Sequence, residues 1–153
     1  VRVESRGEVL NQFLVEVFGQ ILKAEAACLA GKDLSLRELH LIDAVCRAVD
    51  QGGDNRSTAI AAALGITAGT LTSAVNLLEK KGYLLRRRDE RDKRVVHLLP
   101  TERGRAADAR HRDFHRQMVA HVLDGLTDEE AECTLRALGR VAEFFRRGAP
   151  ERG

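Results

Sequence analysis

Two short helical segments separated by a glycine-containing turn constrain the fold of this 153-residue chain more than any other feature. The first segment covers residues 57–64 and is rich in alanine, and Gly65 follows it directly. The second begins at Thr67, a good helix N-cap, and reaches Lys81 with one apolar stripe formed by Leu71, Val75 and Leu78. Two short helices around such a turn are typical of a helix-turn-helix.

The hydrophobic period changes from about 3.6 to about 2 residues immediately after this motif. Residues 83–85 and 95–99 are short strand candidates, and Pro100 ends the second of them. Between them, residues 86–94 contain six basic and three acidic side chains, a net charge of +3. The pattern predicts a β-hairpin wing with a positively charged tip, and we interpret Tyr83 at its base as an anchor.

Longer helices flank this region. An apolar stripe over residues 10–29 predicts a first helix that ends at Gly31. Capping boxes at residues 35–38 and 127–130 start two more helices. Thr101 caps another long helix, whose apolar positions are Ala106, Ala109, Phe114, Met118 and Val122. In the last helix we expect an inward face formed by Ala131, Leu135, Leu138, Ala142 and Phe145.

These elements predict a mostly α fold with a small β-hairpin wing, organised as a single domain over residues 1–153. The winged helix-turn-helix would cover about residues 35–100. The helices of about residues 4–30 and 101–147 carry more apolar surface than such a small core can cover. We therefore expect them to be dimerisation helices, paired across a two-fold axis.

The polar face of the second short helix fits the major groove of double-stranded DNA, because its side chains are small and can form hydrogen bonds. The predicted DNA-binding residues there are Thr67, Ala68, Gly69, Thr70, Thr72, Ser73 and Asn76. Wing cations can neutralise phosphates or enter the minor groove. The predicted contacts are Arg86, Arg88, Lys93 and Arg94. Each feature alone also fits an ordinary solvated surface, and it is their adjacency that favours DNA.

Composition excludes other classes of protein. The longest apolar stretch is six residues, 59–64, whereas a membrane span needs about 18. The first residues lack the apolar core of a signal peptide. The three cysteines are widely spaced and do not suggest a disulfide framework. We expect a soluble, cytoplasmic protein without a membrane partner. Since no nucleophile elbow, phosphate-binding glycine loop or paired-carboxylate motif occurs, we do not expect an enzyme.

Several motifs closely resemble the MarR family of winged-helix transcription regulators over nearly the whole chain. The markers are Ile66-Thr67, Gly69-Thr70-Leu71-Thr72, Leu77-Leu78-Glu79-Lys80-Lys81-Gly82-Tyr83, Asp92-Lys93-Arg94 and Thr101-Glu102-Arg103-Gly104. The resemblance implies a homodimer that represses transcription by occupying a palindromic operator. It also implies that Asp92 orients a wing arginine, with Arg94 and Arg88 reaching the minor groove.

Within the family, the chain is similar to the repressors of bacterial fatty-acid-synthesis genes. The matching residues are Leu34-Ser35 with Glu38 and His40, Gly69-Thr70, Arg94-Val95-Val96-His97-Leu98, and His111-x-x-Phe114-His115 followed by Met118-Val119. This likeness implies that long-chain acyl groups on acyl carrier protein strengthen DNA binding. Two departures are Arg56, where a capping Thr is common, and Pro100, where Leu usually ends the wing strand.

A metal site is an alternative to our prediction of no cofactor. His111 and His115 have the i, i+4 spacing that can hold one metal ion, and Glu25 and His40 could join them. Zinc-sensing members of the family are similar here, so a zinc-responsive repressor is one alternative. In the other interpretation these histidines orient helices or line a ligand cavity. A small-ligand-responsive regulator of drug or stress genes is a further alternative.

The sequence indicates where a ligand could bind but not which ligand it is. Apolar residues that could line a channel for an alkyl chain, or equally form plain dimer core, are Phe13, Phe18, Ile21, Leu22, Phe114 and Met118. An acidic carrier protein could dock beside Arg110, Arg112 and Arg116. We interpret Cys28 as a packed small hydrophobic residue rather than a peroxide sensor, because it lies on the apolar stripe.

Overall fold

A computed structural model describes residues 5–29 and 32–147. In these residues, six helices and one hairpin follow each other as α1 (Arg6–Cys28), α2 (Leu36–Asp50), α3 (Ser57–Leu64), α4 (Ala68–Lys80), β1 (Leu84–Arg88), β2 (Val96–Pro100), α5 (Glu102–Asp124) and α6 (Asp128–Arg146). This architecture confirms the predicted mostly α fold with a hairpin wing. Gly31, the predicted end of α1, lies outside the described residues.

Helix starts follow the predicted capping chemistry. The Ser35 hydroxyl accepts a hydrogen bond from the Glu38 backbone N–H at 3.3 Å, and the Glu38 carboxylate accepts one from the Ser35 N–H at 2.7 Å. The same reciprocal pair forms at the start of α6. Arg56 gives α3 no side-chain cap. Instead, Asp54 accepts hydrogen bonds from the backbone N–H and the guanidinium of Arg56, which fixes the chain just before the helix.

Contacts divide the chain into two compact units, residues 1–112 and 113–153. The apolar core of the first unit joins α2, α3, α4 and the wing, and its most deeply buried side chains are Leu39, Ile42, Val45, Cys46, Ile60, Val75, Leu78, Leu84 and Leu98. Tyr83 is buried as the predicted wing anchor. Its hydroxyl donates to Asp33 Oδ1 at 2.6 Å, and the Arg103 guanidinium lies 4.3 Å from its ring centre.

The wing is an antiparallel hairpin in which Leu84 pairs with Pro100 and Arg88 with Val96. Both strands begin one residue later than predicted, and β1 extends three residues further, into the arginine run. Pro100 is tolerated because it is the last residue of β2, where the missing N–H interrupts no ladder.

Two predictions, the inward face of α6 and the packed Cys28, are wrong for the single chain, and the apolar stripe of α5 is largely exposed there. The buried residues of α5 are Gly104, Ala107, Asp108 and His111, whereas the predicted Ala106, Ala109 and Val122 are exposed. No residue of α6 is buried, and its predicted inward face includes Leu135 and Phe145 at 64% and 69% exposed. Cys28 is exposed, not packed. In each case helical spacing identified an apolar stripe but not the surface that covers it.

Among the described residues, no single helix is both long and apolar enough to cross a membrane. The pair α3 and α4 meets the criteria of length and composition jointly, with a 109° bend between them.

Candidate nucleic-acid interface

The helix α4 presents one buried and one polar face. Leu71, Val75 and Leu78 pack into the core, while the residues predicted to contact DNA are exposed: Thr67, Ala68, Gly69, Thr70, Thr72, Ser73 and Asn76. Thr67 caps the helix by accepting a hydrogen bond from the Thr70 N–H at 3.2 Å. The turn before it has Gly65 at φ +64°, a left-handed conformation that favours glycine. The fold therefore holds a small-residue polar surface at the start of α4.

Gly69 has no structural reason to be glycine. Its φ is not positive, and a Cβ added there would meet no atom within 4 Å. Glycine in a helix costs stability relative to alanine, by up to about 1 kcal/mol. A glycine that neither turns nor packs leaves the backbone open to close approach by another molecule.

The wing tip is organised by carboxylates. Asp89 Oδ1 accepts hydrogen bonds from the backbone N–H groups of Arg91 at 2.8 Å and Asp92 at 3.1 Å. These two N–H groups, together with His97, lower the pKa of Asp89. Asp92 Oδ1 accepts from the Arg94 backbone N–H at 3.0 Å and lies 3.3 Å from Arg94 Nε. The Arg94 side chain is 93% exposed, so Asp92 steadies a guanidinium that projects into solvent.

Arg86 lies apart from the other wing cations. Arg88, Lys93 and Arg94 are exposed, whereas the Arg86 side chain is 28% exposed and forms an ion pair with Glu79 of α4. Arg86 also donates to the Thr72 carbonyl at 3.2 Å. It therefore links the wing to α4, and its charge is already paired with that of Glu79.

Hydrogen bonds attach β2 of the wing to Asn55, just before α3, and to Ser57, the first residue of α3. Sequence patterns did not indicate this connection. Leu98 donates its N–H to the Asn55 carbonyl at 2.9 Å, and the Asn55 amide donates to the Leu98 carbonyl at 2.9 Å. The Ser57 hydroxyl donates to the Val96 carbonyl at 3.0 Å. His97 lies between Asn55 and Asp89. No sequence signal pairs these residues, because Asn55 and His97 are 42 positions apart.

Three of the predicted metal-ligand candidates lie close together in the first unit. The Glu25 carboxylate lies 2.9 Å from His111 Nε2 and 3.7 Å from His40 Nε2. The three candidate ligand atoms lie within 4.8 Å of one another, and Glu25 and His111 are buried. Zinc bonds to nitrogen and oxygen are about 2.0–2.2 Å long, so this spacing fits one ion. His115 lies four residues beyond His111, in the second unit, with its ring edge-on to Phe114.

A second buried charged group surrounds Arg112. Its guanidinium lies 2.8 Å from Asp108 and 3.8 Å from Asp43, and both acids are buried. Burial raises the pKa of Asp108, and a hydrogen bond with Asp43 adds to the rise. Because Arg112 is paired with these acids, it does not offer an unpaired charge beside Arg110 and Arg116 for an acidic carrier protein. The prediction that Arg112 belongs to a docking patch is therefore wrong.

The predicted ligand residues are divided between the two units. Phe18, Ile21 and Leu22 lie on α1 in the first unit, and Phe114 and Met118 lie in the second. Separately, a cavity of about 460 Å3 opens between α2 and α4. Its described lining includes none of these residues and consists of Arg37, Glu38, His40, Leu41, Leu64, Ile66, Thr70 and Ala74.

Comparisons with known proteins agree with this architecture. The model of the MarR family matches residues 45–96, from the second half of α2 to the wing. Two curated proteins of Bacillus subtilis strain 168 are similar, the uncharacterized HTH-type transcriptional regulators YwhA and YcgE. They are 31% identical over 72 and 85 residues, which are 47% and 53% of this chain. The chain spans about half the length of these relatives, 52% and 53%.

Solved structures extend the likeness over most of the chain. Streptococcus pneumoniae FabT, solved in complex with DNA, is 35% identical with a TM-score of 0.81, covering 90% of this chain and 96% of that one. The Staphylococcus aureus MepR–DNA complex shares the fold at 22% identity, a TM-score of 0.66, and coverage of 86% and 96%. Helix-turn-helix and hairpin together define a winged-helix protein. The chain belongs to the MarR family, as its motifs predicted, and this family membership confirms that it is not an enzyme.

Proposed function

We propose that this protein is a sequence-specific DNA-binding transcription regulator. One observation carries the proposal: the small-residue face of α4 and the arginine-bearing wing tip are exposed on a single unit, in which Arg86 joins the wing to α4 and Asn55 joins it to the segment before α3. A helix of this kind fits the major groove, and an exposed guanidinium beside it fits the narrow, negative minor groove. The known DNA complex of the similar FabT supports the same use of these surfaces.

Replacement of Arg94 tests this proposal directly. If Arg94 reaches DNA, Arg94→Ala weakens operator binding by about 1–3 kcal/mol and lowers the salt slope by about 1. Arg136→Ala is the matched control, because Arg136 is an exposed arginine of α6, far along the chain from the wing. Fluorescence anisotropy over a salt series measures both quantities. Equal affinity and slope in Arg94→Ala and the control would remove Arg94 from the interface.

A homodimer is part of the proposal, because the single chain exposes large apolar side chains along three of its helices, as interaction surfaces do. The exposed large apolar side chains on three helices are Val9, Leu10, Phe13, Val15 and Phe18 of α1, Val119, Val122 and Leu123 of α5, and Leu135, Leu138, Phe144 and Phe145 of α6. A second copy covering these faces would set two α4 helices about one DNA turn apart on a palindromic operator. Light scattering should give twice the 16.9 kDa chain mass.

Leu138→Glu should shift this mass toward the monomer, since it places a charge on the apolar stripe of α6. Arg136→Glu, on the same helix, is the matched control and should remain dimeric. A monomeric wild type would refute the dimer while leaving the DNA contacts of one chain testable.

The likeness to FabT supports a finer proposal, in which the protein represses fatty-acid-synthesis genes and long-chain acyl carrier protein is the co-repressor. The acyl chain would meet apolar side chains of α1, including Phe18, Ile21 and Leu22. Acyl carrier protein with a long acyl chain should then tighten operator binding at fixed salt, and the same carrier without the acyl group should not. No difference between the two carriers would refute the co-repressor.

A zinc-responsive repressor is the second candidate, favoured by the cluster of Glu25, His40 and His111. If these residues hold zinc, calorimetry should detect one ion per chain, and operator affinity should rise with stoichiometric metal. His111→Ala should abolish both effects, while His121→Ala, at an exposed histidine of α5, should leave them unchanged. Zinc binding that is equal in the two variants would exclude this site.

A further inference from the structure

His97 joins the two halves of the candidate interface. It lies on β2, with Nδ1 2.9 Å from the amide oxygen of Asn55 and Nε2 3.2 Å from Asp89 Oδ2. Asn55 belongs to the segment that leads into the helix-turn-helix. Asp89 accepts hydrogen bonds from two backbone N–H groups of the wing tip. The imidazole therefore forms a bridge from the helix-turn-helix to the tip, about 23% exposed at its side chain.

Both partners of His97 are acceptors. The Asn55 amide nitrogen already donates to the Leu98 carbonyl, so the orientation of this amide is fixed and its oxygen faces Nδ1. Asp89 Oδ2 is a carboxylate oxygen and accepts only. A neutral imidazole has one N–H, and an imidazolium has two. Only the protonated ring can donate to Asn55 and Asp89 at the same time.

Charged side chains of both signs surround the ring. Asp89 at the tip and Asp54 before α3 favour the cation, and His97 contributes to the lowered pKa of both acids after their stronger hydrogen-bond partners. Arg87 is the backbone pairing partner of His97 on β1, and the backbone of Arg56, before α3, forms an isolated β-bridge with His97. Arg88, Glu90 and Arg91 line the same surface depression.

We propose that protonated His97 is a positioning residue that holds the wing tip in its DNA-contacting geometry. The inference rests on the proposed DNA-binding function. When the ring loses its proton, one of its two hydrogen bonds is lost and an unprotonated nitrogen faces an acceptor. Asp89 then loses its link to the helix-turn-helix, and the tip that carries Asp92 and Arg94 is no longer held against it. Operator affinity should therefore fall as pH rises through the range in which histidines change charge.

The test compares operator binding at about pH 5.5 and about pH 8.5, which bracket the usual charge change of histidine, at constant ionic strength. Loss of one hydrogen bond predicts an affinity about two- to tenfold weaker at the higher pH for the wild type. His97→Gln, which does not titrate, should lose this part of the pH dependence. His121→Gln is the matched control, an exposed histidine of α5 outside the interface, and should retain the wild-type profile.

A second measurement does not need DNA. In the free protein, the backbone amide signals of Arg91 and Asp92 should titrate together with the ring nitrogens of His97, because both amides donate to Asp89. Amides that do not move with the ring, or an identical pH profile in His97→Gln, would overturn the inference. If the wild type binds no duplex at either pH, the proposed function fails, and the amide titration alone decides the role of His97.

Discussion

The close approach of α5 to the base of the wing makes Gly104 the tightest position among the described glycines. A Cβ at this residue would lie 2.2 Å from the Tyr83 carbonyl oxygen, and 3.0 Å is a distance that real Cβ atoms essentially never cross. The same carbonyl accepts the backbone N–H of Thr101 at 3.1 Å. Thr101 in turn caps α5 by accepting from the Gly104 N–H at 3.0 Å.

The expected cost of Gly104→Ala follows from these distances. The helix must move from Tyr83 by about 0.8 Å or more, which strains the Thr101 bonds. Overpacking of this kind costs about 1–3 kcal/mol, and a weakened hydrogen bond adds about 1 kcal/mol. Alanine recovers about 1 kcal/mol of helix propensity. We therefore expect Gly104→Ala to lower the free energy of unfolding by about 2 kcal/mol.

Gly139→Ala is the matched control for this substitution. Gly139 lies inside α6, and an added Cβ meets no atom within 4 Å, so the same mutation should stabilise by up to about 1 kcal/mol. Urea unfolding followed by circular dichroism, at one protein concentration, measures both variants. A Gly104→Ala protein as stable as the wild type would refute the close approach of α5 to Tyr83.

Three further predictions follow from single contacts. Burial raises the pKa of the Cys46 thiol to about 12, so a thiol reagent at about pH 8 should label the two exposed cysteines first and Cys46 only after unfolding. The hydrogen bonds from Arg56 lower the pKa of Asp54 to about 2. Stability from this pair is therefore present above the ordinary Asp pKa and lost as pH falls toward about 2, and Asp54→Asn should flatten that part of an acid-unfolding curve. Arg86→Ala removes a pair with Glu79 rather than a DNA contact, so it should lower the unfolding midpoint and leave the salt slope of operator binding unchanged.

Local chemistry explains the parts of the fold that sequence analysis predicted correctly. A capping box needs residues only three positions apart, so the starts of α2 and α6 are visible in the sequence. The stripe of Leu71, Val75 and Leu78 likewise reports the buried face of α4, because both depend on one helical period. The polar face of α4 follows as the complement of this stripe.

Contacts between distant segments explain what sequence analysis missed. Sequence analysis named Glu25 and His111 as candidate ligands but did not predict their burial, because no helical period links residues 86 positions apart. The burial of Asp108 depends in the same way on Asp43 and Arg112. Arg86 was grouped with the wing cations because its neighbours in sequence are arginines, yet its place in β1 sets it beside Glu79. The role of a charged side chain depends on its partner, and the partner is set by the tertiary fold.

The attachment of the wing limits how mobile its arginine tip is before it binds DNA. A two-stranded hairpin alone is marginally stable in water, and a mobile tip would lose conformational entropy on binding. Here the hydrogen bonds of Asn55 and Ser57 to β2 add a short third segment on one side. On the other side, the ion pair of Arg86 holds β1 to α4. Most of the conformational entropy of the tip is thus already lost when the protein folds. Arg94 therefore approaches DNA in a fixed position relative to α4.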